Sequence, residues 1–312
     1  MKTFLGITAG LTAAAIWGGM YVVSKVVLEV VPPFALLSIR LTLGALLLGA
    51  ILAALGQPRL GGDQIRQALG IGMIGFGISL GLQFVGTRLS TASNASLVTS
   101  ASPAFMLLFA AWLLRERVTL RRLSALGLAT AGVVAVIDPR TIRLAPKLFV
   151  GNLALLGAAV AWGLYSVLVK TVSERATILQ VGFYTFLGGL IIAVPAALVE
   201  ARAASIGHLN TFTVLGIFYL GWISTALAVY LWNQSLALLD AGAVSLLFFA
   251  QPVVGIILGA WLLGERLGAL FWGGAGLVGA GLMLSLLERP ASTALASRSQ
   301  WRAGGVEKGQ TL

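Results

Sequence analysis

The sequence predicts an all-α integral membrane protein with ten transmembrane helices, built as two inverted five-helix repeats. The prediction rests on a shortage of charge, on ten long apolar segments and on an internal repeat. Charged residues make up 10% of the 312 residues and hydrophobic residues 58%, whereas a soluble domain carries roughly 25% charged residues. Because a soluble globule must cover its surface with polar groups, this deficit indicates that lipid surrounds most of the chain.

Ten apolar segments have about the length that a membrane crossing requires. A helix needs about 20 mainly apolar residues to cross the hydrocarbon core. Breaks rich in Pro and Gly, such as Pro32-Pro33 and the stretch from Gly56 to Gly62, separate the early segments. The predicted spans, numbered 1 to 10 in chain order, are 4–28, 34–55, 66–86, 93–114, 119–137, 149–171, 178–199, 211–233, 242–263 and 268–287.

The second half of the chain repeats the first at a nearly constant offset. The motifs Pro103, Trp112-Leu113-Leu114 and Glu116-Arg117 recur 149 residues later as Pro252, Trp261-Leu262-Leu263 and Glu265-Arg266. Similarly, Trp17-Gly18 and Lys25 recur 145 residues later as Trp162-Gly163 and Lys170. Since five spans per half is an odd number, the second half must enter the membrane from the opposite side. We expect repeats at 1–145 and 146–290, followed by a disordered cytoplasmic tail at 291–312.

The basic residues predict the orientation of the chain. Loops on the cytoplasmic side of a membrane carry an excess of Lys and Arg. With the amino terminus inside, twelve of the 21 Lys and Arg residues fall on the inner side and six on the outer side. Both termini are therefore expected in the cytoplasm. Because these residues are scattered between spans, the net charge of +11 indicates contacts with anionic lipids rather than with nucleic acid.

Inverted repeats place a binding site near the bilayer midplane, where the halves meet. Trp17 and Tyr21 are four residues apart and share a helix face. The repeat supplies Trp162, with Tyr165 one turn further on. These four side chains are candidate walls of a substrate site, although aromatic residues also anchor helices at the membrane interface.

Arg40 is the candidate charged group of the site. It lies well inside span 2, where a charge costs at least roughly 2.5–3.5 kcal/mol and normally faces the bundle interior or a wet cavity. The alternative is a structural role in which backbone carbonyls hold the guanidinium. The repeat has Tyr184 at the equivalent position, so this charge is not duplicated.

Further candidates come from spans 3, 4 and 9. Gln83, Ser96, Ser245 and Gln251 could make polar contacts with a substrate, and Phe248 could add an apolar wall. Scattered Ser residues also hydrogen-bond between membrane helices without binding any ligand.

The residue types that the chain lacks limit the substrates and reactions that the site can serve. No Asp or Glu lies near the centre of a predicted span, although proton-coupled carriers of cations usually use an intramembrane carboxylate. An aromatic and cationic cavity suits a carboxylate with an apolar body. The chain has no Cys, a single His and no nucleotide-binding signature. We therefore expect no catalytic residues, no metal and no cofactor.

These motifs resemble those of the drug/metabolite transporter superfamily, and of its EamA family in particular. The resemblance runs from Trp17-Gly18 and Lys25 to Glu116-Arg117 and again through the second half. It implies a cavity lined by spans 1, 3, 4, 6, 8 and 9, with spans 5 and 10 at the periphery. Within the family, the chain is similar to exporters of aromatic amino acids. The resemblance also implies a bacterial inner membrane location.

The sequence therefore predicts a secondary transporter that exports aromatic and other apolar amino acids, or similar small metabolites, by alternating access. Two alternatives remain open: a multidrug or nucleotide-sugar carrier of the same superfamily, and a membrane scaffold without transport. The expected partners are the small-molecule substrate and lipids, with no obligate protein partner. The two Glu-Arg motifs are interpreted as helix-end ion pairs or, alternatively, as gates.

Overall fold

The computed structural model describes residues 2–57, 60–113, 120–137, 145–173, 176–238, 247–248 and 250–286. All regular structure in these ranges is helical. The predicted tail at 291–312, the motif Glu116-Arg117 and Ser245 lie outside the described residues.

The described helices account for all ten predicted spans. Seven helical stretches are long and apolar enough to cross a membrane, and the other three spans are shorter helices. In chain order the spans are Lys2–Val27, Pro33–Ala54, Gly62–Leu89, Ala92–Leu113, Leu120–Ile137, Pro146–Ser173, Ile178–Glu200, Thr211–Leu238, Ala250–Leu263 and Ala269–Leu286.

The span boundaries follow local capping chemistry. Thr177 precedes span 7, and its hydroxyl accepts the N–H of Gln180, whose side chain accepts the N–H of Thr177 in return. Asn210 caps span 8 by accepting the N–H of Thr213 at 2.9 Å. Both contacts satisfy amides that have no partner within the helix. Gly56 adopts a left-handed φ of +60° just after span 2, a conformation that glycine adopts without steric cost.

Three spans are not continuous α-helices. Span 3 contains a π-helical segment at Met73–Ser79, and span 8 contains one at Tyr219–Leu227. Span 4 is broken at Ser100-Ala101, between the helices Ala92–Thr99 and Ser102–Leu113. Shifted by the repeat offset of 149, the first π segment would begin at Trp222 and overlap the second. The two halves therefore share this departure from α-helical geometry.

Reciprocal contacts show that the halves are related by a pseudo-two-fold axis. A Cβ added to Gly18 would lie 3.1 Å from the amide nitrogen of Gly255, and one added to Gly163 would lie 2.8 Å from that of Met106. Gly18 and Gly163 are repeat equivalents at the 145-residue offset, and Met106 and Gly255 are equivalents at 149. Span 1 thus crosses span 9 as span 6 crosses span 4. Because each half crosses the membrane five times, this axis lies in the membrane plane.

The remaining spans flank this central group. Spans 2 and 7 pack along each other, and spans 5 and 10 form a separate pair. A Cβ on Gly132 of span 5 would lie 2.6 Å from the carbonyl oxygen of Gly274 in span 10, so these backbones are close together. Small residues permit such close approach in membranes. Spans 5 and 10 are peripheral, as expected.

A glycine pair in span 3 provides a test of this packing. A Cβ on Gly72 would overlap the backbone carbonyl of Thr185 in span 7, whereas one on Gly70 would meet nothing within 4 Å. We expect Gly72→Ala to destabilise the protein by about 1–3 kcal/mol through overpacking. The measurement is thermal unfolding of the purified protein in one detergent.

Gly70→Ala is the matched control for this substitution. It lies two residues away in the same helix, and alanine favours the helical state. Its unfolding temperature should equal or exceed that of the parent. Equal unfolding temperatures for the Gly72 and Gly70 variants would contradict the close crossing of spans 3 and 7.

Candidate functional site

A cavity lies between the two halves, where the crossing spans meet. Its empty volume is about 470 Å³, part of which is open to the exterior. The lining residues come from spans 1, 2, 3, 4, 6, 8 and 9: Trp17, Met20, Tyr21, Arg40, Phe76, Ser79, Leu80, Gln83, Thr99, Ser102, Ala158, Trp162, Val229, Phe248 and Gln251. This set contains all six spans that were expected around the cavity, with Arg40 added from span 2.

Aromatic rings from both halves form one wall of the cavity. The ring of Trp17 lies 6.3 Å from that of Trp162, edge to face, and 6.0 Å from that of Phe248. Phe76 lies 5.8 Å from Trp162, also edge to face. Such edge contacts are favourable arrangements for aromatic pairs. The cavity therefore offers a largely apolar wall to a ligand.

The π-helical segment of span 8 fixes the orientation of Trp17. The indole nitrogen of Trp17 donates a hydrogen bond of 3.0 Å to the backbone carbonyl of Ser224, which lies inside that segment. A π-helical segment interrupts the regular α-helical bonding pattern, and such segments are frequent at functional sites. The orientation of Trp17, which belongs to the first half, is therefore fixed by a residue of the second half.

Arg40 brings a buried charge to the cavity. Arg40 is 2% exposed. The Nε atom donates to the Thr225 hydroxyl at 2.5 Å and one terminal nitrogen donates to the Ser224 hydroxyl at 3.3 Å. The guanidinium carbon lies 5.3 Å from the centre of the Phe84 ring, within cation–π range.

One nitrogen of Arg40 has no protein partner. The other terminal nitrogen, Nη1, is buried without a hydrogen bond, and no carboxylate forms an ion pair with Arg40 in the part of the chain that the structure describes. An unsatisfied buried donor on a charged group is costly. The Arg40 side chain therefore has unused capacity to bind an anion from within the cavity.

A polar cluster links spans 1, 4 and 9 at one end of the cavity. The hydroxyls of Tyr21 and Thr99 are 2.5 Å apart, and the amide nitrogen of Gln251 lies 3.4 Å from each of them. All three side chains are buried. The cluster joins the first half to the second through groups that can also hydrogen-bond a ligand.

Most of the substrate-site residues that were predicted from the sequence lie at this cavity. Those that line the cavity are Trp17, Tyr21, Arg40, Gln83, Trp162, Phe248 and Gln251. Tyr165 is buried behind the wall, with its ring 5.2 Å from that of Phe76 and 4.8 Å from that of Trp162. Ser96 lies outside the lining: its hydroxyl bonds the carbonyl of Ser93, and its side chain packs against Gly255.

Sequence reasoning missed Phe76 as a central side chain. Its ring contacts Trp162, Tyr165 and Phe186 and is 1% exposed. Phe76 precedes Gln83 by seven residues, which places both on one face of a helix. That spacing could have revealed it.

Comparison with known proteins agrees with this architecture. The model of the EamA-like transporter family matches residues 4–137 and 149–287, one match for each half. The uncharacterized transporter YetK of Bacillus subtilis is 25% identical over 93% of this chain and 89% of its own length. A protein named probable amino-acid metabolite efflux pump, from Escherichia coli, is 26% identical over 88% of this chain and 93% of its own.

A solved crystal structure supports the same fold. It superposes with a TM-score of 0.66 at 23% sequence identity, covering 90% of this chain and 96% of the other. The family matches cover most of the chain, in two repeats that coincide with the two halves of the structure. This chain therefore belongs to the EamA-like transporter family and is a multi-pass membrane transporter.

Proposed function

We propose that this protein exports amino acids with aromatic or other apolar side chains, or closely similar metabolites, from the bacterial cytoplasm by alternating access. The observation that carries the proposal is the unpartnered nitrogen of Arg40 in a cavity that has an aromatic wall. The name of the Escherichia coli relative, a probable amino-acid metabolite efflux pump, supports the same substrate class.

The carboxylate of the substrate binds Arg40. A guanidinium forms charge-assisted hydrogen bonds with carboxylates, and these are about twice as strong as neutral ones. Because the Nε and Nη2 atoms already donate to Thr225 and Ser224, the free Nη1 donates the hydrogen bond to a carboxylate oxygen of the substrate. Binding would also satisfy a donor that is otherwise buried without one.

The apolar body of the substrate packs against the aromatic wall. Trp17 and Trp162 present rings from spans 1 and 6, and Phe248 presents one from just before span 9. The amide of Gln83, whose nitrogen lies 3.9 Å from the sulfur of Met20, and the amide of Gln251 can contact the polar end of the substrate. Ser96 and Tyr165 support this set from behind the lining, and Ser245 stays a candidate polar contact from the sequence.

The repeats at 1–145 and 146–290 move as the two bodies of the carrier, and the cytoplasmic tail follows at 291–312. Both termini face the cytoplasm of a bacterial inner membrane, because this orientation agrees with the bias of Lys and Arg residues. The loops after spans 4 and 9, as repeat equivalents, then lie on opposite sides.

Removing part of the aromatic wall should reduce transport. We expect Trp162→Ala to lower counterflow of labelled phenylalanine in proteoliposomes about tenfold, because an aromatic pair contributes up to about 1.5 kcal/mol and tenfold corresponds to about 1.4 kcal/mol. Trp261→Ala is the matched control, since Trp261 is 78% exposed on the outer surface of the bundle. Unchanged counterflow in the Trp162 variant would remove this ring from the site.

The same counterflow assay separates the candidate functions. Saturable counterflow of a labelled drug cation or nucleotide sugar, without counterflow of labelled phenylalanine, would favour the other carriers of the superfamily. Absence of saturable flux with every probe would favour a membrane scaffold. Export of amino acids predicts competition by aromatic and apolar amino acids.

The inverted topology can be tested by labelling, because the native chain contains no Cys. We expect a cysteine placed at Leu120 and one placed at Arg266, in separate variants, to react with a membrane-impermeant maleimide from opposite sides. Leu120 should label in inverted vesicles and Arg266 in intact cells. Labelling of both from the same side would contradict the proposed orientation.

A further inference from the structure

The turn between spans 3 and 4 exposes the ends of two helices at one membrane face. Span 3 ends at Leu89, and the short helix Ala92–Thr99 begins span 4. The last carbonyls of one helix and the first amides of the other have no partners within their own helices. Two charged side chains from elsewhere in the protein reach this turn.

Lys25 binds the carbonyls that end span 3. Its ammonium donates to the carbonyl oxygens of Thr87 at 3.1 Å, Arg88 at 2.9 Å and Ser90. A cation at the carboxyl end of a helix is favourable, because the end carries a partial negative charge. Lys25 lies one helical turn beyond Tyr21 in span 1, so the turn is fixed to span 1 at this face.

Glu265 binds the amides that begin span 4. One carboxylate oxygen accepts the N–H of Ala92 at 2.6 Å, and the other accepts that of Ser93 at 2.9 Å. Glu265 follows span 9 and belongs to the second half. The contact is therefore a bridge between the halves, and it differs from the helix-end ion pair that the sequence suggested for the Glu-Arg motif.

A second layer lies directly beneath this turn. Thr99 is at the other end of the short helix, and its hydroxyl meets those of Tyr21 and the amide of Gln251. These three residues line the cavity. The cavity is consequently separated from this membrane face by the polar cluster and, above it, by the contacts of Lys25 and Glu265.

The opposite half does not repeat this polar layer. The repeat equivalents of Tyr21, Thr99 and Gln251 are Ser166, Phe248 and Ser102. The Ser166 and Ser102 hydroxyls donate to carbonyls of their own span, those of Trp162 and Thr99. Among the described residues, the polar cluster is therefore specific to the face that bears Lys25 and Glu265.

The short helix that begins span 4 is separated from the rest of the span by a break whose carbonyls have local partners. It contains eight residues and ends at the break Ser100-Ala101. Hydroxyls of Ser100 and Ser102 satisfy the carbonyls of Leu97 and Thr99, each at 2.6 Å. Because the backbone at the break is satisfied locally, the helix can tilt there without exposing unpaired carbonyls to lipid.

We propose that Glu265 and Lys25 form a releasable latch on the turn between spans 3 and 4, and that this latch keeps the cavity closed at this face. When Glu265 leaves the amides of Ala92 and Ser93, water at the membrane surface replaces it at small net cost. The short helix then tilts away from span 9, and the cluster of Tyr21, Thr99 and Gln251 opens. This proposal goes beyond the proposed substrate, because the latch controls only whether the cavity is open to this face of the membrane.

Cysteine accessibility in the full chain tests the latch without any substrate. The reporter is Ser102→Cys, a nearly isosteric change at the cavity lining, in a protein that otherwise has no Cys. The readout is the rate of reaction with an impermeant maleimide applied to the latch face. Arg202→Cys, in a separate variant, shows which side of the membrane that face occupies. Arg202 is exposed just beyond Glu200, whose carboxylate accepts the N–H of Phe34 at the start of span 2, close to the Lys25 end of span 1.

We expect Glu265→Gln to raise the labelling rate of the reporter about tenfold, which corresponds to about 1.4 kcal/mol in favour of the open state. Lys25→Met should also raise the rate, because it retains the aliphatic stem and removes the charge. Glu29→Gln is the control, since Glu29 is an exposed carboxylate on the same face and should leave the rate unchanged.

Two results would overturn the latch. One is rapid labelling of the reporter from this face in the otherwise native chain, which would show that the face is open. The other is an unchanged rate in both latch variants, measured on protein that elutes as a single folded species. Since neither result depends on transport, the latch can fail while the amino acid assignment stands, and the reverse also holds.

Discussion

The positive charge of Arg40 constrains the centre of this protein, because a guanidinium surrounded by lipid-facing helices must be held by polar groups. The structure supplies Thr225 and Ser224, both from the π-helical segment of span 8. The same segment provides the carbonyl that binds Trp17. One irregular segment thus positions both the cation and an aromatic wall, and it joins them to spans 1 and 2. A ligand with a carboxylate and an apolar body matches that combination.

The helices of the two halves are arranged symmetrically, whereas the side chains at equivalent positions of the site differ. Spans 1 and 9 cross as spans 6 and 4 do, and both halves carry a π-helical segment in the third span. Arg40, however, has Tyr184 as its repeat equivalent. The cluster around Tyr21 is not repeated either, because the equivalent Ser166 and Ser102 hydroxyls donate to carbonyls of their own spans. The helix arrangement is therefore shared by the two halves, whereas the charged and polar groups that it carries differ between the two faces.

Much of this architecture follows from sequence, because lipid imposes simple rules on length and polarity. The ten spans, the repeat and seven cavity residues could be predicted from apolar runs, constant offsets and helical spacing. Tyr165 and Ser96 do not line the cavity and stay predictions as substrate contacts, since spacing along a helix does not give its rotation relative to neighbours. The side chain of Ser96 lies against Gly255. The π segments, the break at Ser100-Ala101 and the bridge from Glu265 to span 4 depend on contacts between distant segments, which no local pattern encodes.

The most direct test of the central claim is a comparison of two ligands on purified protein. Equilibrium binding of phenylalanine and of phenethylamine, which lacks the carboxylate, should be measured for the parent and for Arg40→Gln. The parent should prefer phenylalanine by about tenfold or more, because hydrogen bonds to charged groups contribute about 1.5–3 kcal/mol. In the Arg40 variant this ratio should approach one, and the ratio does not depend on the amount of folded protein. A variant that keeps the preference of the parent would contradict the role of Arg40 as the carboxylate partner.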